Sequence, residues 1–348
     1  MPVSIAACIR RHLALPAAAR QRPLTRARRS LRVTALLAVL MAPITSSALP
    51  RFQQGWLPGL GSVGASGRYS TPSLVDIDGD GDLDVMAGDY YGKFWLTRNV
   101  GSATAPRFAS ATGSDNPLLG IDNGYLSSLL IGDLDGDGDP DVAVGNYCPL
   151  RYFDNTGSAT APSFVERTAA DSPFSGVACA EYGDFGDLDA DGDLDAVLLG
   201  PSGSVYLRNT GSSLAAAFVE VTGSASPLPP VGLPITGPLT FGDLDGDGDL
   251  DGFVGSGTSL RYLRNTGTAT APGFVEQSGS DNPAAFFAVD GGAYPALGDL
   301  DGDHDLDLVI GEHDGSLRYL VNEGTPTAPR FTEPSGKGNP LFGADVGG

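Results

Sequence analysis

The sequence predicts an all-β fold, a β-propeller of about five four-stranded blades, and three observations predict it. An acidic nonapeptide with Asp at positions 1, 3, 5, 7 and 9 occurs five times, at 76–84, 133–141, 187–195, 243–251 and 299–307. The copies start 57, 54, 56 and 56 residues apart, the spacing of a structural repeat. Each period holds four short apolar runs bounded by Gly, Asn, Asp and Pro, and residues 50–348 carry no sustained 3.6-residue periodicity. Four short strands per unit at this period suit a radial array, in which repetition around an axis protects the sheet edges.

Residues 1–49 carry eight Arg and no acidic residue, with an apolar run at 33–41 and the small residues Ser46, Ser47 and Ala48. This is the pattern of a secretory leader with a long basic region. Arg28-Arg29-Ser30-Leu31 weakly matches a twin-arginine signal, and general secretion suits the apolar run equally. The expected location is extracellular or cell-surface, with the periplasm as a further option. Beyond residue 49 the count is 13 Lys and Arg against 42 Asp and Glu, a formal charge of −29. That balance argues against nucleic acid or an anionic membrane as partner. No second apolar run is long enough to span a bilayer.

In the second repeat the four runs are 129–131, 142–144, 150–153 and 164–166, with the acidic loop between the first two. The loops hold Asp76, Asp78, Asp80, Asp82 and Asp84; Asp133, Asp135, Asp137, Asp139 and Asp141; Asp187, Asp189, Asp191, Asp193 and Asp195; Asp243, Asp245, Asp247, Asp249 and Asp251; and Asp299, Asp301, Asp303, Asp305 and Asp307. Carboxylates this dense repel one another unless a positive charge compensates, and the loops contain no Lys or Arg. A bound cation is the simplest remedy, and oxygen-only ligands suit calcium, at about five sites. Side chains at positions 1, 3, 5 and 9 and the carbonyl at position 7 are the expected ligands. Position 6 is Gly81, Gly138, Gly192 and Gly248, then His304 in the fifth copy, where weaker binding with an intact fold is expected. An EF-hand would need Glu at position 12, which is Ala87, Val144, Leu198, Val254 or Ile310. Zinc would need His or Cys clusters, and the loops offer only His304.

The third run aligns Trp95, Tyr152, Tyr206, Tyr262 and Tyr319 in one column, either a sugar-stacking face or interblade packing, with packing the plainer reading. Asn99, Asn155, Asn209, Asn265 and Asn322 follow, each two residues before a Gly, and read as connectors that tolerate left-handed turns. Phe108, Phe164, Phe218, Phe274 and Phe331 then open the fourth run. Phe52 lies in the same phase, so the two ends of the chain could complete one shared blade. Residues 331–348 also resemble the start of a further blade, as if the chain were cut from a longer propeller.

The repeated loop, its period and the wording Gly-Asp-Leu-Asp-Gly-Asp-Gly-Asp-Leu-Asp resemble the FG-GAP/VCBS repeats of bacterial exported proteins and of the integrin α-chain propeller. The likeness covers residues 52–348. It implies a cation-binding loop between the first two strands of each blade, with ligands at positions 1, 3, 5 and 9. The Phe-Gly…Gly-Ala-Pro wording is missing and Gly/Pro-rich segments such as 223–239 replace it, so the bacterial branch resembles this chain better than integrin.

Cys148 and Cys179, in neighbouring repeats, could pair in an oxidising compartment; Cys8 belongs to the leader. His313 reads as a turn residue, and no nucleophile elbow or dinucleotide motif is present. No catalytic residue is assigned, because the clustered acids are committed to a cation and make poor proton donors. The expected function is binding, by a protein-recognition or adhesion module with an extracellular protein or glycan as partner. The alternatives are a lectin-like module and, less favoured, a polysaccharide-active enzyme. The interblade loops 113–125, 170–182, 223–239 and 279–294 vary in length and sequence, and supply the contact surface.

Overall fold

The computed structural model describes residues 69–145, 150–168, 171–177, 180–200, 203–229, 237–289 and 291–334. Twenty strands form five four-stranded antiparallel sheets, each from consecutive strands. Blade one is β1 (Thr71–Val75), β2 (Asp84–Gly88), β3 (Phe94–Asn99) and β4 (Phe108–Ser110). Blade two is β5 (Ser128–Gly132), β6 (Asp141–Gly145), β7 (Arg151–Asn155) and β8 (Phe164–Arg167). Blade three is β9 (Tyr182–Gly186), β10 (Asp195–Gly200), β11 (Gly203–Asn209) and β12 (Phe218–Val221). Blade four is β13 (Leu239–Gly242), β14 (Asp251–Ser256), β15 (Ser259–Asn265) and β16 (Phe274–Gln277). Blade five is β17 (Tyr294–Gly298), β18 (Asp307–Gly311), β19 (Leu317–Asn322) and β20 (Phe331–Thr332).

The second strands are buried on both faces because a blade lies on either side, which is why 142–144 and 196–199 read as unbroken apolar runs. The first strands pack around the axis. Ser73 Oγ donates to Leu129 O at 3.2 Å, Phe241 N to Asp184 Oδ2 at 2.8 Å and Leu297 N to Thr240 Oγ1 at 3.3 Å, so adjoining inner strands are joined across their backbones. Blade five closes on blade one: Tyr69 N donates to His313 O and Ser70 Oγ to Gly315 O, both at 3.2 Å.

The five sheets are the five blades of one ring. Each sheet takes its four strands from its own repeat, and Phe331–Thr332 pairs with β19 as the fourth strand of blade five. No described sheet is shared between the two ends. The leader, Phe52, residues 335–348 and both Cys148 and Cys179 lie outside the described residues.

Strand direction alternates, so the acidic loops and the β3–β4-type turns share one face of the ring, and the interblade loops share the other. At the interblade-loop face the rings of Tyr182 and Tyr294, from non-adjacent blades, come within 6.4 Å, with Leu126 in the same buried cluster. Beneath them an axial cavity of about 160 Å³ is lined by all five first strands. Asp184 faces this cavity, and burial pushes its carboxyl up to about 7, opposed by the amides of Phe241 and Phe185. A carboxyl raised in the folded state contributes stability that is present below the unfolded value near 3.8 and lost as pH rises through about 7. Asp184→Asn is therefore expected to gain on the wild type steadily from pH 5 to pH 8 in urea unfolding with calcium present. Parallel pH profiles would show that Asp184 is not the titrating group.

Candidate metal centre

Each acidic loop is organised by its own first carboxylate. The position-6 amide donates to position 1 in every copy: Gly81 to Asp76 at 2.9 Å, Gly138 to Asp133 at 3.0 Å, Gly192 to Asp187 at 3.1 Å, Gly248 to Asp243 at 3.0 Å and His304 to Asp299 at 3.0 Å. Position 5 accepts the position-7 amide, as Asp80 does from Asp82 at 3.2 Å. These bonds curl the loop so that its carboxylates converge. In blades one and two the converging groups are Asp76, Asp78 and Asp84, and Asp133, Asp135 and Asp141. In blades three to five they are Asp187, Asp189 and Asp191; Asp243, Asp245 and Asp247; and Asp299, Asp301 and Asp303. Within each group the candidate ligand atoms lie within 4.8 Å of one another, so each cluster could hold a metal ion.

One oxygen in these groups marks the cavity a cation would fill. Oδ1 of Asp78, Asp189, Asp245 and Asp301, all at position 3, is buried without a hydrogen-bond partner. Asp189 and Asp301 are 6% and 5% exposed, so water does not solvate them. A buried carboxylate oxygen with neither partner nor water is costly unless something positive meets it.

Of the expected positions 1, 3, 5 and 9, the converging groups hold 1, 3 and 9 in blades one and two and 1, 3 and 5 in blades three to five. Asp80 and Asp137 stand apart from the converging groups of blades one and two, and Asp195, Asp251 and Asp307 from those of blades three to five. Position 9 is tied to the third strand whether or not it joins a converging group. Asp307 Oδ1 accepts from Asn322 N at 2.8 Å, and Oδ2 from Leu300 N at 3.3 Å and Tyr319 Oη at 2.6 Å. Asp141, Asp195 and Asp251 accept in the same way from Tyr152, Tyr206 and Tyr262 at 2.6–2.8 Å. Burial raises these carboxyls, Asp84 and Asp307 to about 7 and Asp141, Asp195 and Asp251 to about 6, while the backbone amide of the following Asn opposes the shift. Position 9 is therefore the keystone joining loop to third strand. At position 7 the Asp139 and Asp249 carboxylates meet the amides of Ala159 and Ala269 in the turn of their own blade, and the Asp82, Asp139, Asp193, Asp249 and Asp305 side chains belong to none of the converging groups.

The tyrosine column is buried, with Tyr319 at 1% exposure, so it offers no face to a sugar; its hydroxyls serve the loops. Burial beside a carboxylate pushes the Tyr152, Tyr206, Tyr262 and Tyr319 hydroxyls up, which keeps them as donors. Blade one differs, since Trp95 Nε1 donates to Asp89 at 3.0 Å instead.

The Asn column does more than connect. Asn99 Oδ1 accepts from Gly101 N at 3.0 Å and Arg107 N at 2.8 Å, and Asn155, Asn209, Asn265 and Asn322 repeat this clamp. None of these Asn residues, nor Gly101, is left-handed. Gly101 is there for close approach, because a Cβ would overlap the Ala105 carbonyl oxygen. The clamped turn also covers the loop of the preceding blade. A Cβ on Gly79 would lie 3.1 Å from Ala159, one on Gly246 2.5 Å from Thr327 Cγ2, and one on Gly302 2.7 Å from Thr104 Cγ2. The blade-two turn, which meets Gly79 of one loop and Asp139 of another, is wedged between two acidic loops.

His304 keeps the turn of its glycine counterparts at φ 73°, with an exposed side chain. A Cβ in this region costs about 1–2 kcal/mol. His304→Gly is therefore expected to stabilise the protein by about 1 kcal/mol, read by chemical denaturation with metal held fixed. Unchanged stability would mean that the surroundings already absorb the strain.

Residues 76–144, 133–198, 187–254 and 243–310 each match the FG-GAP-like repeat model. The chain belongs to the FG-GAP-like repeat family. Each match runs from one acidic loop to the second strand of the next blade, so FG-GAP-like repeats overlap in tandem around the ring. Similar solved structures include a thermostable family-43 glycoside hydrolase at 10% identity, covering 78% of this chain and 95% of that one with a TM-score of 0.47. A lectin of Agrocybe aegerita that recognises non-reducing terminal N-acetylglucosamine aligns at 18% identity, over 79% and 70%, with a TM-score of 0.40. The BP39L lectin of Burkholderia pseudomallei aligns at 13%, over 74% and 82%, with a TM-score of 0.40. No curated protein matches the chain.

Proposed function

We propose that the protein is an exported, calcium-loaded propeller that acts as a protein-binding or adhesion module, with five calcium ions stiffening one face and the interblade loops of the other face making the contact. The observation that carries this reading is the division of labour between the two faces. One holds five near-identical loops whose oxygen-only ligand atoms converge, the donor set that suits calcium. The other presents unlike loops with exposed apolar side chains, among them Leu119 at 62% and Phe286 at 86% exposure. Apolar and aromatic side chains displayed on a rigid frame are the usual anchors of a protein interface. Extracellular calcium saturates even weak sites, so export along the 1–49 leader and metal loading agree.

A second reading, glycan recognition, draws on one place. Tyr91 and Tyr125 pack against Tyr90 with ring centroids at 5.5 and 4.5 Å, beside the Lys93–Asp122 ion pair. Exposed rings beside charged hydrogen-bonding groups are what a pyranose requires. Turnover of a sugar polymer, the less favoured third reading, would need two acids about 5–9.5 Å apart in a cleft.

The test is capture from the native extracellular milieu with calcium and with chelator, in parallel with a glycan array. Calcium-dependent retention of a protein that Leu119→Ala with Phe286→Ala abolishes is the expected result. Retention indifferent to both changes overturns the reading, and array binding lost in Tyr91→Ala replaces it with the glycan one.

A further inference from the structure

The five loops are near copies, but the strand behind them is not. The residue before the clamp Asn is Arg98 in blade one, Asp154 in blade two, Arg208 in blade three, Arg264 in blade four and Val321 in blade five. Arg98 Nη1 donates to Asp78 Oδ2 at 2.7 Å, Arg208 Nε to Asp189 Oδ2 at 2.7 Å, and Arg264 Nη2 lies 2.5 Å from Asp245 Oδ2. Each guanidinium thus pairs with Oδ2 of the position-3 carboxylate, while Oδ1 is buried without a hydrogen-bond partner. A guanidinium does not lose its proton, so this charge is permanent.

Blades two and five differ. Asp154 is held by Arg167 at 2.7 Å and adds negative charge beside Asp135. Val321 carries no charge, and among the described residues no Lys or Arg pairs with Asp135 or Asp301.

We propose that Arg98, Arg208 and Arg264 are built-in counterions that compete with the divalent cation for Asp78, Asp189 and Asp245, so that the ring holds two tight sites, in blades two and five, and three weak ones. The inference rests on the calcium reading given above. In the weak loops a dication meets a fixed positive charge and must displace it from the ligand it needs. Arg208 and Arg264 are half exposed and can swing into solvent, whereas Arg98 is more enclosed, which makes the site of blade one the weakest. This order reverses the one expected from His304, because that residue keeps the turn of its glycine counterparts and leaves the ligands in place. Without metal each of the three arginines offsets one carboxylate charge of its loop, so the ring keeps part of its charge balance when calcium is scarce.

The experiment is a calcium-binding isotherm on the chelator-stripped full chain. Two sites at least tenfold tighter than the other three are expected. Arg98→Gln with Arg208→Gln and Arg264→Gln should bring the weak class up by tenfold or more, and Val321→Arg should reduce the tight class from two to one. Val321→Arg replaces no loop residue and reads out even where the triple variant does not fold. Five equivalent sites in the wild type, or a tight class unmoved by Val321→Arg, overturns the competition while leaving calcium in place. No uptake in any variant overturns the calcium reading and this inference together.

Discussion

Chelation is expected to lower the melting temperature by about 10 °C or more. A ligand bound only by the folded state stabilises by RT ln(1 + [L]/Kd), so a tenfold excess over Kd at five sites sums to about 7 kcal/mol. For a domain of this size each kcal/mol moves the midpoint by about 2–4 °C. Calorimetry of residues 50–348 in calcium, in magnesium and in chelator measures it. Magnesium should restore little, because it demands near-ideal octahedral geometry that converging carboxylates on a flexible loop do not supply. Equal midpoints in calcium and in chelator would show that the carboxylate clusters need no metal.

Gly311→Ala is expected to cost about 3 kcal/mol or more, the upper range for overpacking a close contact. A methyl group there would overlap the Ser70 carbonyl oxygen and lie 2.8 Å from Pro72 Cδ, both backbone-bound groups of blade one. Relief requires blades five and one to move apart, and the loss of Tyr69 N to His313 O would follow. Gly273→Ala is the control. Its Cβ meets nothing nearer than 3.9 Å, and its counterparts are Arg107, Ser163, Ala217 and Arg330, so unfolding should barely change. Equal effects at the two positions would mean that blade approach does not limit the ring.

The blade count, the strand order and the loop backbone were legible because they are local: nine-residue copies, short apolar runs, and turns marked by Gly and Asn. What stayed hidden depends on contacts between strands. Arg98 and Asp78 are 20 residues apart, and nothing in either segment shows that the third strand passes behind the loop. The Tyr319 hydroxyl reaches Asp307 for the same reason. A signal was present in the repeats themselves, since Arg recurs immediately before Asn in blades one, three and four and is replaced by Asp154 and Val321 elsewhere. The glycines of the Asn-x-Gly turns misled, because their role is proximity to a carbonyl rather than a left-handed φ. The left-handed Tyr69 and Leu126 had no local cue at all, their conformation being imposed where inner strands enter at the axis.

Because every sheet is spun from one uninterrupted stretch, no strand among the described residues is stitched across the join between the last blade and the first. It is a clasp of side-by-side contacts, Ser70 to Gly315 and the Ala103–Thr104 turn over Gly302. Tension applied from both flanks of the ring would fall on that clasp before any hydrogen-bonded ladder, and the disk would unroll into a row of blades that are each still paired within themselves.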